Sequence, residues 1–167
     1  MDCSFLTEKG LFNYRVGAII LRDGKILMAR NSQEKRAFYY SVGGRVQFGE
    51  SLNDAVLREV KEETGADCEI DRLACIHENF FTDDDGVPFH EVSAFFVIRP
   101  NDDLLRLENG RLTDRADAGE YLEWIDPHDC DVTIYPEFFR TVDFGADREV
   151  KHIVNDEWNR QQKEASR

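Results

Sequence analysis

The stretch from Ser51 to Gly65 constrains this chain more than any other, because it reads as a helix that turns acids toward its own apolar side. Ser51 stands at an expected N-cap, and Asp54 three residues on makes a capping box with a short acid. Leu52 to Thr64 then runs without a breaker, and Gly65 is placed to close the helix in the left-handed conformation. At roughly 100° per residue, Leu52, Val56, Glu59 and Glu63 fall within about 60° of one another, with Ala55 and Val60 beside them. Carboxylates on a buried helix face are costly unless they are paired or bound to a cation. A solvated charge run is one reading of these residues. The sharper reading is a cluster of hard oxygen ligands for Mg²⁺, with Mn²⁺ as a substitute. The i, i+4 spacing lets Glu59 and Glu63 reach one ion, Glu62 lies on the shoulder, and Arg58 is placed to hold Glu62. Upstream, Gly43 and Gly44 allow a tight turn and a close backbone approach.

Written out, residues 44–66 are GRVQFGESLNDAVLREVKEETGA. This resembles the box of the MutT-like Nudix hydrolase family, G-x5-E-x7-R-E-U-x-E-E-x-G-U with U aliphatic. Gly44, Glu50, Arg58, Glu59, Val60, Glu62, Glu63 and Gly65 match, Ala66 is small at the last position, and Val42 stands where many members have proline. The flanking stretches Phe12–Val16 and Trp124…Glu137 look like a bacterial subgroup of undefined substrate. The resemblance implies an α+β fold, an α/β/α sandwich around a mixed central sheet, over roughly Tyr14 to Phe139 of a single domain spanning 1–167. It implies a metal-dependent hydrolase in which Glu59, Glu62 and Glu63 hold the ion together with the Gly43 carbonyl. The attacking water then gives its proton to a box glutamate, Glu59 or Glu62, or to an acid outside the box. Glu50 either joins the metal site through water or is simply an acid favoured by the helix dipole.

Glu91 is the first choice for that outside acid, since it shares a strand face with Phe89, Ser93 and Phe95, where an acid is unusual. An edge position facing water is the alternative, and Glu120 and Glu123 are the other candidates. Arg15 and Arg45, and less so Arg30, are expected phosphate contacts, because guanidinium forks match phosphate oxygens. Tyr39, Tyr40, Phe80 and Phe81 are either core residues or a stacking surface for a base. His77 and His90 read as structural, because the carboxylates already supply a hard-metal site.

Elsewhere, Tyr14 to Leu21 reads as a strand, Asp23-Gly24 as a hairpin turn and Lys25 to Arg30 as the returning partner. Asn31 to Arg36 reads as a loop and Ala37 to Val42 as a short strand. Cys68 to Phe81 and Val87 to Ile98 are strands flanking the turn Asp83–Gly86, the second central because both its faces are apolar. Asn101 to Gly119 is a polar connection and Tyr121 to Ile125 a strand. Pro136 is placed to open a helix through Phe144. Glu149 to Trp158 fits a strand or a helix equally well.

The 167 residues suit one domain, and no apolar run approaches a membrane span. The first residues lack an apolar core of a signal peptide, and Cys3, Cys68, Cys75 and Cys130 form no CxxC pair, so a cytoplasmic protein with reduced thiols is expected. A net charge of −13 argues against nucleic acid and membrane as partners. It leaves a small-molecule nucleotide as substrate, with a homodimer open. ADP-ribose, dinucleoside polyphosphate, NADH and coenzyme A signatures are missing. A nucleoside triphosphate or modified nucleotide is therefore expected. The alternatives are an ADP-ribose or nucleotide-sugar pyrophosphatase, a nucleotide-binding regulator that does not cut, or an isopentenyl-type isomerase.

Overall fold

A computed structural model describes residues 1–33, 38–115, 117 and 119–160. Its elements in chain order are β1 (Ser4–Thr7), β2 (Gly10–Ile19), β3 (Leu21–Arg22), β4 (Lys25–Asn31), β5 (Tyr39–Ser41), β6 (Gly43–Arg45), α1 (Leu52–Thr64), β7 (Glu69–Thr82), β8 (Pro88–Arg99), a helical turn α2 (Asp102–Leu105), β9 (Arg111–Leu112), β10 (Glu120–Ile125), β11 (Ile134–Tyr135), a 3₁₀ turn Glu137–Arg140 and β12 (Lys151–Asp156). The loop and strand expected over 34–37, and the chain beyond 160, lie outside the described residues.

α1 forms where the local code puts it. The Ser51 side chain accepts from the Asp54 N–H, and Gly65 at φ 79° sends its own N–H to the Lys61 carbonyl. The strands make two sheets. One has the order β1-β2-β8-β7-β12 with β6 also on β2; the other runs β11-β5-β4-β10-β9 with β3 on β4. The first is mixed, because β8 runs parallel to β2 and antiparallel to β7. The fold is α+β, with mixed sheets and few helices.

β8 is the strand that divides the core. Ala94, Phe96 and Ile98 join the cluster containing Ala55, Val56 and Val60 of α1. Phe95 and Val97 turn the other way, to the cluster of Phe138, Phe139 and Phe144. This is the period-two alternation of a strand buried on both faces. α1 is therefore one outer layer. The opposite layer is thinner than a helix through Phe144 would make it: one 3₁₀ turn, with Pro136 at φ −67° and ψ 149° as its extended cap rather than its first helical residue.

Other expectations change in register. Lys25–Asn31 does return after the Asp23-Gly24 turn, but it pairs with the two residues of β3, not with β2. The chain leaves the first sheet at Ile20, whose carbonyl accepts from the Leu27 N–H at 3.0 Å. The 101–119 connection holds α2 and β9. The segment after 149 is a strand parallel to β7, with helical residues starting at 157. Among the described residues, no helix is long and apolar enough to cross a membrane.

Phe139 is 1% exposed and packs edge-on to Phe95, so this single residue anchors much of the thin layer. Phe139→Ala should cost about 3–5 kcal/mol of stability. Urea unfolding checks it; a loss under about 1 kcal/mol would show that the Phe138–Phe144 layer is not part of the cooperative core.

Candidate functional site

The two glycines that open the box are shaped by what lies against them. Gly43 has φ 143°, and a Cβ there would sit 2.3 Å from the Val16 carbonyl oxygen of β2. A Cβ on Gly44 would lie 2.4 Å from the carboxyl atoms of Glu59. The strand thus approaches both its neighbour and the helix as only glycine allows. Glu59 and Glu63 are 4% and 3% exposed, on the inward side of α1 as the periodicity requires.

Arg58 neutralises one end of this cluster. Its Nη1 donates to Glu59 at 2.7 Å and to Glu62 at 3.1 Å. Its Nε and Nη2 donate to the two oxygens of Glu50 at 2.8 and 3.0 Å, and Nη2 also reaches the Arg45 carbonyl at 3.1 Å. The expected Arg58–Glu62 pair is present, but it is one bond of five. Glu50, whose carboxylate also accepts the Gln47 N–H at 3.0 Å, is held below the usual glutamate range, chiefly by Arg58. Burial pushes Glu59 up, and Arg58 opposes it.

Glu63 has much less help. Its Oε1 accepts the Gly43 N–H at 3.3 Å; Oε2 is buried with no hydrogen-bond partner. Of the Gly43 groups, the N–H, not the carbonyl, is the one seen to touch a box acid. Burial, and then the charge of Glu120, drives the Glu63 carboxyl well above its ordinary pKa.

Glu120 is the acid from outside the box that the fold brings to α1. It is 3% exposed and opens β10 on the same face as Leu122 and Trp124. Tyr40 of β5 donates to one of its oxygens at 2.7 Å, Thr113 to the other at 2.8 Å, and Arg115 stands 3.8 Å away. The signal for it was in the sequence, an acid in period two with apolar neighbours, the same pattern that favoured Glu91.

Glu91 sits elsewhere. Its alternation with Phe95 and Val97 puts it on the face of β8 away from α1. There it meets Arg15, Asn13 and Ser93, each at 3.4 Å. Arg15 shares that face, and the register sets Arg45 directly opposite it, 3.7 Å from Asp2. Glu123 likewise turns from α1 and accepts a hydrogen bond from the hydroxyl of Tyr39, over whose ring Arg30 lies. The aromatic candidates are engaged within the protein: Phe80 against His90 and Trp158, Phe81 against Phe89. His77 is buried between Phe95 and Phe138, and burial drives its pKa down to about 4, so it stays neutral.

A divalent cation fits this donor set. The inward groups are carboxylate oxygens, hard ligands, and Glu63 Oε2 is a buried acceptor without a hydrogen-bond partner. Among the described residues, no three acidic, histidine or cysteine side chains are already gathered round one point. Glu62, 44% exposed, lies at the rim.

The NUDIX domain matches residues 11–162. The chain is 38% identical over 76 residues to putative nudix hydrolase 1 of Caenorhabditis elegans, covering 42% of this chain and 21% of that one. It is 39% identical over 66 residues to the NAD-capped RNA hydrolase NudC of Vibrio atlanticus, 40% and 24% of the two chains. It is 33% identical over 84 residues to the ADP-ribose pyrophosphatase of Methanocaldococcus jannaschii, 50% and 48%. The chain thus spans between a fifth and a half of these relatives' lengths. The fold is similar to the MutT protein of Bacillus halodurans, with TM-score 0.56, 18% identity and 77% and 78% of the chains covered. It is also similar to MutT from Methanosarcina mazei, with TM-score 0.54, 22% identity and coverage of 81% and 91%. Nudix hydrolases generally use divalent metal ions, which accords with the carboxylates of Glu59 against Gly44 and Glu63 against Gly43. The chain belongs to the Nudix family.

Proposed function

We propose that this protein is a Mg²⁺-dependent hydrolase, with Mn²⁺ as a substitute, that cuts a phosphoric anhydride in a nucleoside diphosphate linked to another group. The observation that carries this is Glu63 Oε2, buried without a hydrogen-bond partner, in a carboxyl that burial and then the charges of Glu120 and Glu59 push upward. Such an arrangement is unfavourable on its own and suited to a cation. Glu59 and Glu63 would hold the ion, with Glu62 at the rim. The bound ion would neutralise phosphate oxygens and make water a better nucleophile.

In the reaction, a water oxygen bonds to one phosphorus, the bridging P–O bond breaks, and the leaving phosphate keeps the electron pair. The water proton goes to a carboxylate. Glu120 is proposed for that step in place of Glu91. The Tyr40 and Thr113 hydroxyls fix its orientation, and it stands close enough to Glu63 to perturb it. Arg58 orients Glu59, and Gly44 leaves room for its carboxylate.

A nucleoside triphosphate or modified nucleotide is the proposed substrate. ADP-ribose is the second reading, favoured by the likeness to the Methanocaldococcus jannaschii enzyme. The test is a panel of triphosphates, oxidised triphosphates, ADP-ribose and nucleotide sugars with Mg²⁺ or Mn²⁺, read as release of phosphate or pyrophosphate. Hydrolysis should vanish in excess chelator while the far-UV spectrum stays folded. Full activity in chelator, or binding of nucleotides without any cleavage, would overturn the hydrolase reading.

Glu120→Gln should lower kcat by about 10²-fold or more, as loss of a general base does, with KM little changed. Glu91→Gln should leave kcat within a few-fold. The reverse ranking would move the proton acceptor to the other face of β8.

Glu63 also yields a stability prediction. Its folded pKa is raised, so between the ordinary glutamate value of about 4.3 and that raised value the folded state holds a proton the unfolded chain has lost. The metal-free protein therefore loses stability as pH rises through this window, and the loss is complete above it. Glu63→Gln removes the term. Its metal-free melting point at pH 8 should equal or exceed wild type, and Mg²⁺ should raise the wild type alone. A mutant that melts several degrees lower at pH 8 without metal would make Glu63 a structural residue held by Gly43.

A further inference from the structure

We propose that Arg115, on the turn between β9 and β10, is the residue that grips the substrate's phosphate at the mouth of the acid cluster. The proposal rests on the nucleotide-hydrolase reading of this site and adds to it a binding residue from outside the box.

The turn holds the Arg115 backbone and leaves its side chain loose. The Arg115 N–H donates to the Thr113 hydroxyl at 3.0 Å, and its carbonyl accepts the Glu120 N–H at 3.3 Å. The side chain, by contrast, is 56% exposed, and its Nη1 is 3.8 Å from Glu120, an ion pair too long for a hydrogen bond. Such a half-exposed contact is worth little and exchanges readily for a better anion. Arg115 stands beside Glu120, and the charges of Glu120, Glu63 and Glu59 all favour its charged form.

Arg58, Arg15 and Arg45 are not available for this role. Arg58 spends its three nitrogens on Glu50, Glu59, Glu62 and the Arg45 carbonyl. Arg15 and Arg45 lie on the opposite face of the first sheet. A chain of net charge −13 repels a polyphosphate, so a positive group is needed where the anion must approach the carboxylates. A guanidinium also offers paired donors that match two phosphate oxygens.

The probes are methylene-bridged, uncleavable analogues of nucleoside triphosphates carrying each of the four bases, titrated calorimetrically in saturating Mg²⁺. Arg115→Met should weaken the tightest analogue about 10-fold or more, and Arg115→Lys should fall between, as a point charge without the fork. Arg111→Met, on the same hairpin beside the end of α1, should bind as wild type. Without nucleotide, Arg115→Met should bind Mg²⁺ as tightly as wild type or more so, since a like charge has gone. Mg²⁺ affinity that rises while analogue affinity stays at the wild-type value would make Arg115 a counter-ion only and overturn the proposal. Should the Met variant fail to melt cooperatively, the Lys variant decides: wild-type affinity there overturns the proposal. A wild-type protein that binds no analogue at all removes the nucleotide reading, and Arg115's role with it.

Discussion

The site depends on one arginine inside one turn of helix. Arg58 bonds Glu50 before the helix and Glu59 and Glu62 on it. It also bonds the Arg45 carbonyl of the strand opposite. Bonds to a charged partner are about twice as strong as neutral ones, and these span three segments, so they lock the helix to the strand. Replacing Arg58 would leave Glu59 buried with neither partner nor solvent. What Arg58 does not reach is Glu63, one turn of helix beyond Glu59. The cluster is thus divided into an outer half bonded to Arg58 and an inner half that Arg58 does not reach, and the inner half is where a cation gains most.

The division of the core by β8 determines which acids can take part. Even-numbered residues from Ala94 to Ile98 face α1, and Phe95 and Val97 face the 3₁₀ turn. Any strand residue therefore belongs to one side and is excluded from the other by a full layer of packed side chains. Glu91 with Arg15 is on one side, Glu120 with Tyr40 on the other. On its own side Glu91 has a cationic partner and polar neighbours, which account for a partly buried acid there without any ligand.

The helix was legible because its information is local. A cap at Ser51, a left-handed glycine at Gly65 and a 3.6-residue period lie within fifteen neighbouring residues. Strand residues carry less. Period two says that Glu91 and Phe95 share a face, but which face meets α1 is set by register with strands far away in sequence, such as Asn13 beside Glu91. The departure of the chain from the first sheet at Ile20 was hidden for the same reason: a hairpin signal specifies the turn, not the sheet that receives it. Residues 151–156 read as either element because their strand pairs with β7, which precedes them by 76 residues. Arg115 carried no signal at all, since a lone arginine in a polar turn matters only once β10 has placed Glu120 beneath it.

That last placement joins the two sheets at the site. Glu59, Glu63 and the glycines come from α1 and β6, attached to the first sheet through β2. Glu120, Tyr40 and Thr113 come from β10, β5 and the end of β9, all of the second sheet. Both sheets contribute inward polar groups to the site. When both are ionised, Glu63 and Glu120 repel across the junction that the shared apolar cluster of Val56, Val60, Leu122 and Trp124 holds together. A cation between them would turn that repulsion into attraction, so binding energy at the site would be expressed as closer docking of the two sheets.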